Sequence, residues 1–291
     1  MNGPTLVVGA TGMLGGAVCR RLAAAGKPVR ALVRSGSDPQ RVEALRETGA
    51  ETVLGDLKDD ASLAGACNGA AAVITTAQTV VSRQPDDSIE AVDELGQLAL
   101  VAAAEAAGVE RFVYTSFSEA IDFPFPFQRA KRAVEARLDA STLTWTVLQP
   151  SCFMEVWFSP FLLLDAAGGL ATVFGSGEQR ISWISVEDVA EVAVRALDAP
   201  EAANAVLAFG GPDALSPREV FQIFEQELGR PLDSREVSIE QLEQRRKAAS
   251  DPYEESLACL LIASTRDDPQ PEGALGVAPV SVREFARRAR S

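Results

Sequence analysis

The chain has 291 residues, 47% of them hydrophobic, carries a net charge of −14 and contains no histidine. That length and apolar content build a sizeable core without disulfides or metal, and suit one large α/β domain or a large domain with a smaller lobe. The acidic balance argues against a nucleic-acid backbone as a partner, and the lack of histidine removes His-based triads, His metal ligands and the commonest general base.

Four cysteines, Cys19, Cys67, Cys152 and Cys259, lie far apart with no CxxC pair. They read as small apolar residues of a reducing, cytoplasmic compartment, and no metal is expected. No apolar run approaches the ~18 residues of a membrane span, and no signal-peptide pattern opens the chain, so no membrane partner is expected. Arg283, Arg287, Arg288 and Arg290 read as a solvated helix end favoured by the helix dipole.

The first element is a short apolar run, Thr5-Leu6-Val7-Val8, leading into Gly9-Ala10-Thr11-Gly12-Met13-Leu14-Gly15. A strand, a tight turn and a helix start follow from that order. Glycine lets the backbone turn sharply and approach a pyrophosphate, while the free N–H groups and dipole of the helix start favour its charge. The same spacing also serves a plain turn with close helix–strand contact; its place one strand into a βαβ unit favours the phosphate reading. Leu14, Val18 and Leu22 recur at helical spacing up to Gly26. The next strand, 29–34, ends in Val33-Arg34 where NAD-specific folds hold a carboxylate ~20 residues past the glycines. A guanidinium there pairs with a 2′-phosphate, so NADP(H) is favoured over NAD(H); an exposed arginine at a strand end is the plain alternative.

A third strand, 51–54, runs into Gly55-Asp56-Leu57, where Asp56 either accepts from an adenine amino group or caps the turn. Asp59 or Asp60 starts a helix reaching Cys67. The strand 70–76 brings Thr76 and Ala77 to the carboxyl edge of the sheet, beside a dinucleotide. Residues 79–88 read as a loop over the site. An alanine-rich helix follows from Ile89 to Gly108, with Val92, Leu95, Ala99, Ala102 and Ala106 as its buried stripe. The strand 111–116, a helix over 127–138 and the strand 143–148 complete a regular alternation, which predicts an α/β fold with a doubly wound parallel sheet.

Beyond it, Cys152, Phe153, Met154 and Trp157 belong to an unusually apolar connection. A wall for a flat, apolar substrate explains it, and so does a core seam between two lobes. A short strand over 181–184, a helix opened by Ser185-Val186-Glu187-Asp188, a strand over 206–209 and a helix capped by Ser216-Pro217 follow; the rest reads as helical and polar. The expected division is a dinucleotide-binding domain over 1–150 and a smaller, mostly helical substrate lobe over 151–291, of which about 181–210 returns to pack on the first domain.

These residues resemble the short-chain dehydrogenase/reductase superfamily in its atypical branch, the NmrA-like, NAD(P)-binding Rossmann proteins. The resemblance runs from residue 6 to about 228. It is carried by the glycine stretch 8–15, Ala31-Leu32-Val33-Arg34, Gly55-Asp56-Leu57, Ala107-Gly108-Val109-Glu110-Arg111-Phe112-Val113, Gln149-Pro150 and Ile184-Ser185-Val186-Glu187-Asp188-Val189-Ala190. It implies cofactor contacts at Gly9, Thr11, Gly12, Met13, Leu14 and Gly15, at Arg34, at Asp56 and Leu57, at Thr76 and Ala77, and at Lys131.

In that superfamily the catalytic pair is Tyr-x-x-x-Lys with an upstream Ser, and residues four apart share a helix face. Here the segment is Phe127-Gln128-Arg129-Ala130-Lys131: the lysine is kept and the phenol is lost. Ser116 matches the superfamily serine, with Ser118 its near competitor; neither Tyr114 nor Tyr253 has a spacing that replaces the phenol. Two branches dispense with the tyrosine. Reductases of quinones and aromatic double bonds resemble this chain in keeping a lysine with a glutamate along its helix, as Lys131 and Glu135 do. Others bind NAD(P) as a redox signal or structural element. The resemblance therefore implies NADPH-dependent hydride transfer to a quinone, enone or carbonyl held by Phe127, Cys152, Phe153, Met154 and Trp157, with Lys131 and Ser116 catalytic. A non-catalytic NADP(H)-binding regulator or assembly factor is the rival, and a surface Lys131 paired with Glu135 the plain alternative. The partner is a small molecule; a second copy or a protein partner stays open.

Overall fold

A computed structural model describes residues 3–81, 83–119, 121 and 123–289; Arg290 of the C-terminal arginine cluster lies outside them. Two compact units divide the chain, one of Met1–Ser116, Pro126–Leu148 and Ala190–Leu207, the other of Phe117–Phe125, Gln149–Val189 and Ala208–Ser291. The strands are β1 (Thr5–Val8), β2 (Val29–Val33), β3 (Glu51–Leu54), β4 (Ala72–Thr75), β5 (Arg111–Thr115), β6 (Thr144–Pro150), β7 (Leu164–Asp165), β8 (Leu170–Phe174), β9 (Ala205–Phe209) and β10 (Asp233–Val237). The helices are α1 (Met13–Ala24), α2 (Pro39–Glu47), α3 (Asp60–Cys67), α4 (Gln97–Ala106), α5 (Pro126–Asp139), α6 (Met154–Trp157), α7 (Val186–Arg195), α8 (Pro217–Leu228), α9 (Ile239–Ala248), α10 (Pro252–Ala263) and α11 (Val282–Ala289).

The first unit is built on a sheet of order β3-β2-β1-β4-β5-β6-β9. Neighbours from β3 through β6 pair in parallel, as expected of strands that alternate with helices. Because both faces are covered, the central strands are apolar throughout: Leu6, Val7, Val8, Ala72, Val73 and Ile74 are buried. The strand order reverses between β1 and β4, and in such sheets ligands bind outside the carboxyl ends of the strands at that reversal. Burial of Leu14, Val18 and Leu22 fixes α1 against the sheet at the spacing read from the sequence.

One helix of this unit has no counterpart in the sequence reading, and one reading changes. Helix α2 has a start signal, Asp38 accepting from the Gln40 N–H with Pro39 first in the helix, yet it buries only Leu45, too little for a visible apolar stripe. The alanine-rich helix begins as a π-helix, Ile89–Gly96, before α4. The wider turn rotates the buried face. Val92, Asp93, Gly96, Gln97, Leu100, Val101 and Ala104 point inward, whereas Leu95, Ala102 and Ala106 of the expected stripe are exposed.

The second unit has its own core around Met154, Leu163, Val173, Trp183, Val220, Phe224 and Leu242. It contains a three-stranded sheet of order β10-β8-β7, which the expectation of a mostly helical lobe does not include. Residues 181–184 form isolated bridges, Ile181 with Leu215 and Asp268 and Ile184 with Phe153, instead of a strand. Ser216 makes a full capping box with Glu219 at the start of α8. The C-terminal arginines are ion-paired: Arg283 and Arg287 with Glu227, and Arg288 with Glu284.

Candidate active site

The glycine turn joins β1 to α1 and closes with the Gly12 N–H donating to the Gly9 carbonyl at 2.9 Å. Gly9 has φ +84°, and a Cβ there would meet the Ala77 nitrogen and Thr76 Oγ1 at 2.8 Å, so the turn and the end of β4 are packed backbone to backbone. Thr76 is tied to β1 through its N–H, which donates to the Val8 carbonyl at 2.9 Å. No side chain caps α1, whose Ncap is Gly12, and its first turn carries no acidic residue. By contrast Asp38, Asp59 and Ser88 cap α2, α3 and the π-helix. A backbone-lined cradle with an uncapped, carboxylate-free helix start fits a pyrophosphate. Of the glycine-turn residues, Leu14 is buried and Met13 half-exposed.

Arg34 follows β2 and donates from Nη1 to Asp87 Oδ2 at 2.6 Å. Lys58, one turn past β3, donates to Asp87 Oδ1 at 2.7 Å and Asp86 Oδ2 at 2.6 Å. Burial works against the charge of Lys58, but Asp86, Asp87 and Asp56 outweigh it and hold the ammonium above its usual range. Asp56 makes the turn-capping bond, accepting from the Lys58 N–H at 2.9 Å. Leu57 is buried in the core, where Gly96 lets the π-helix pass against it.

The π-helix and the first residue of α4 carry two polar side chains, Asp93 and Gln97, inward to the end of β4. Gln97 accepts from Thr75 Oγ1 and donates to the Ala77 carbonyl, both at 3.1 Å. Asp93 is fully buried and accepts from the Thr79 hydroxyl at 2.5 Å and its N–H at 3.2 Å. Burial pushes the Asp93 carboxyl above its usual range, against the pull of Lys131 and Thr79.

Lys131 lies on α5 at 3% exposure, which rules out the surface pair with Glu135; Glu135 instead bonds Arg132 at 2.5 Å. Lys131 Nζ donates to the Thr115 carbonyl at 2.9 Å and sits 4.9 Å from the Tyr114 ring centroid and 5.1 Å from that of Phe127. Burial lowers its pKa to about 8, with Asp93 and Glu135 opposing the fall. The buried Ser116 Oγ, Thr115 Oγ1 and Tyr114 Oη have no hydrogen-bond partner among the described residues. A buried ammonium beside unsatisfied hydroxyls at the carboxyl end of β5 is a place where a proton can be held and passed on. Ser118 belongs to the other unit, where it donates to Asp268 at 2.8 Å.

A family profile, the NmrA-like family, matches residues 1–263. The chain belongs to the NmrA-like family. An NAD(P)H azoreductase from Xenophilus azovorans is 33% identical over 254 residues, 87% of this chain and 83% of that protein. The photosystem II assembly factor Ycf39 of Trieres chinensis is 30% identical over 236 residues, 80% of this chain and 72% of that protein. Among solved structures, an NADPH-dependent quinone oxidoreductase from Escherichia coli complexed with NADPH shares the fold at a TM-score of 0.77 and 20% identity, covering 99% of this chain and 100% of that one.

The NmrA-like chain thus gathers Gly9, Gly12, Gly15, Thr76 and Ala77 at one turn, Arg34 and Asp56 at neighbouring strand ends, and Ser116, Phe127 and Lys131 around β5 and α5. Cys152, Phe153, Met154 and Trp157 lie in the second unit. Met154 is fully buried in its core, while the other three keep partial exposure and Trp157 packs edge-on to Trp183. Burial first, and Asp268 second, push the Cys152 thiol far up, so it is no nucleophile. Sequence reasoning missed Lys58, Asp87, Asp93 and Gln97; for the last two, a polar pair four apart on an alanine-rich helix was the available signal. Among the described residues no helix is long and apolar enough to cross a membrane, and no group of three or more His, Cys, Asp or Glu is placed to hold a metal.

Proposed function

We propose that this NmrA-like protein is an NADPH-dependent oxidoreductase that transfers hydride to an electron-poor acceptor, a quinone, an enone or a carbonyl. The observation that carries the reading is Lys131, a buried ammonium bonded to the Thr115 carbonyl with a pKa lowered to about 8. Bound NADPH supplies the hydride. The chain's own groups then have these tasks. The backbone around Gly9, Thr11, Gly12, Met13, Leu14 and Gly15 holds the pyrophosphate, and Arg34 pairs with the 2′-phosphate. Asp56 and Leu57 border the adenine, and Thr76 and Ala77 border the dinucleotide. Lys131 and Ser116 serve the reacting end, where Lys131 Nζ gives a proton to the acceptor oxygen. With Lys131 as the proton donor, the phenol absent at Phe127 is dispensable. Phe127 of the first unit, and Cys152, Phe153, Met154 and Trp157 of the second, are apolar side chains of the kind that a flat, apolar acceptor requires. The azoreductase relative supports a reductase of conjugated acceptors. Four unpaired cysteines suit a reducing compartment, the cytoplasm.

The test is NADPH oxidation against a panel of quinones and enones, with Lys131→Ala as control. At least one acceptor is reduced by the wild type and none by the variant. Tight NADPH binding with no acceptor reduced favours the second reading, a non-catalytic NADP(H)-binding assembly or regulatory protein with a protein partner or a second copy, which Phe127 and the assembly-factor relative support.

Arg34→Ala separates the cofactors. A charge-assisted bond contributes about 1.5–3 kcal/mol, so NADPH affinity falls about tenfold or more while NADH affinity stays within about twofold. Equal losses for both cofactors, measured by nicotinamide fluorescence titration, would remove Arg34 from the 2′-phosphate.

A further inference from the structure

The two cations at the ends of β2 and β3 face an acid of their own chain. Asp87 Oδ2 accepts from Arg34 Nη1 at 2.6 Å and from the Gln84 N–H at 2.8 Å, and Oδ1 accepts from Lys58 Nζ at 2.7 Å. Its side chain is 1% exposed, although it belongs to a polar loop after β4. The loop is seated on the turn that follows Arg34: Gln84 Nε2 lies 2.5 Å from where a Cβ on Gly36 would stand. Asp86 takes a second bond from Lys58, and Asp56 lies 4.0 Å from the same ammonium. Residues 84–87 therefore form a strap across the ends of three strands, held there by the groups that a phosphate would use.

We propose that Asp87 is a specificity-determining residue for the cofactor: its carboxylate competes with the 2′-phosphate of NADPH for Arg34 and Lys58. The inference rests on the dinucleotide reading above and adds a sign that reading lacks. With the strap in place, two cations face three carboxylates, Asp56, Asp86 and Asp87, and a phosphate dianion meets net negative charge. When Asp86 and Asp87 withdraw, two cations face Asp56 alone. Charge-assisted bonds of 2.6–2.7 Å are strong, so NADPH spends affinity on breaking them. NADH has no group that needs these cations and binds without displacing the strap. Burial disfavours ionised Asp87, but Lys58, the Gln84 N–H and Arg34 outweigh it and hold the carboxyl below its usual range, so the competitor is charged at neutral pH.

Asp87→Asn keeps the shape and an oxygen for the Gln84 N–H while removing the charge; Asp87→Ser is a second variant with the same aim. NADPH and NADH binding to the full chain are titrated by nicotinamide fluorescence, with melting curves as a folding control. The expected result is NADPH affinity raised about tenfold or more in both variants, with NADH within about twofold of wild type. NADPH bound no more tightly by either folded variant overturns the proposal, because Asp87 is then a buttress that holds Arg34 in place. If Arg34→Ala still loses NADPH preference in that case, the 2′-phosphate reading stands without it; if Arg34→Ala changes nothing, both fall.

Discussion

Lys131→Met abolishes reduction of every acceptor that the wild type turns over, lowering kcat by roughly 10²–10⁴, the range of a positioned acid–base group. The same substitution makes the fold more stable at neutral pH. Lys131 is buried among the Thr115 carbonyl and the rings of Tyr114 and Phe127, and its pKa falls from near 10.5 to about 8. Below pH 8 the lysine is protonated in both folded and unfolded chains, and the fold carries the full cost of the buried charge, of order 3 kcal/mol at ~1.4 kcal/mol per pH unit. As pH rises through 8 the folded chain releases the proton before the unfolded one does, so stability climbs between about pH 8 and 10.5. Methionine fills the aliphatic space with no charge, and its stability is flat across that window. Turnover moves the opposite way: an ammonium that donates its proton is depleted above pH about 8, and wild-type kcat falls there. Thermal melts and kcat profiles from pH 6 to 10 read both trends on one pair of proteins. A Met variant that loses stability along with activity would mark Lys131 as a structural residue.

Much of the first unit was legible because its local signals agree. Parallel strands buried on both faces leave uninterrupted apolar runs, and the closely spaced glycines mark the turn that joins β1 to α1. The π-helix was not legible. An alanine-rich segment presents nearly equal apolar faces at several registers, so helical spacing alone put Leu95 inside; only the polar pair Asp93 and Gln97 marks the face that turns inward. Strand β10 hid for a different reason. Four of its five residues are exposed and it has no alternating pattern, so its pairing with β8 depends on contacts that the local sequence does not encode. The strap over Arg34 hid for a third. Asp87 lies 53 residues from Arg34 and 29 from Lys58, and only the strand order β3-β2-β1-β4 brings those loop ends together.

Gly15→Ala gives a large loss of stability and of NADPH binding from the addition of a single carbon. Its Cβ would lie 2.2 Å from the Gly9 carbonyl oxygen, 2.7 Å from the Gly9 carbonyl carbon and 2.9 Å from the Ala10 Cα. All three are backbone atoms, so no flexible side chain can swing away. Gly9 cannot retreat either, since its carbonyl closes the turn to Gly12 and its own Cα position is packed against Thr76 and Ala77. The turn must open, at about 3 kcal/mol or more, the upper end of overpacking costs. For 291 residues that corresponds to a melting point lowered by roughly 5 °C or more, with NADPH binding lost because the cradle and the start of α1 separate. Neighbouring glycines calibrate the result. At Gly12 an added Cβ meets only the Gly9 oxygen at 3.2 Å, a contact that a shift of a few tenths of an ångström relieves, so Gly12→Ala is intermediate. At Gly16 the nearest atoms are 3.5 and 3.6 Å away, and alanine in a helix interior gains up to about 1 kcal/mol over glycine. Melting curves and NADPH titrations across the three variants should therefore rank Gly16→Ala at or above wild type, Gly12→Ala below it and Gly15→Ala far lowest. A Gly15→Ala protein with wild-type melting and affinity would mean that the helix start is not held against the turn as described, and the phosphate cradle would lose its physical basis.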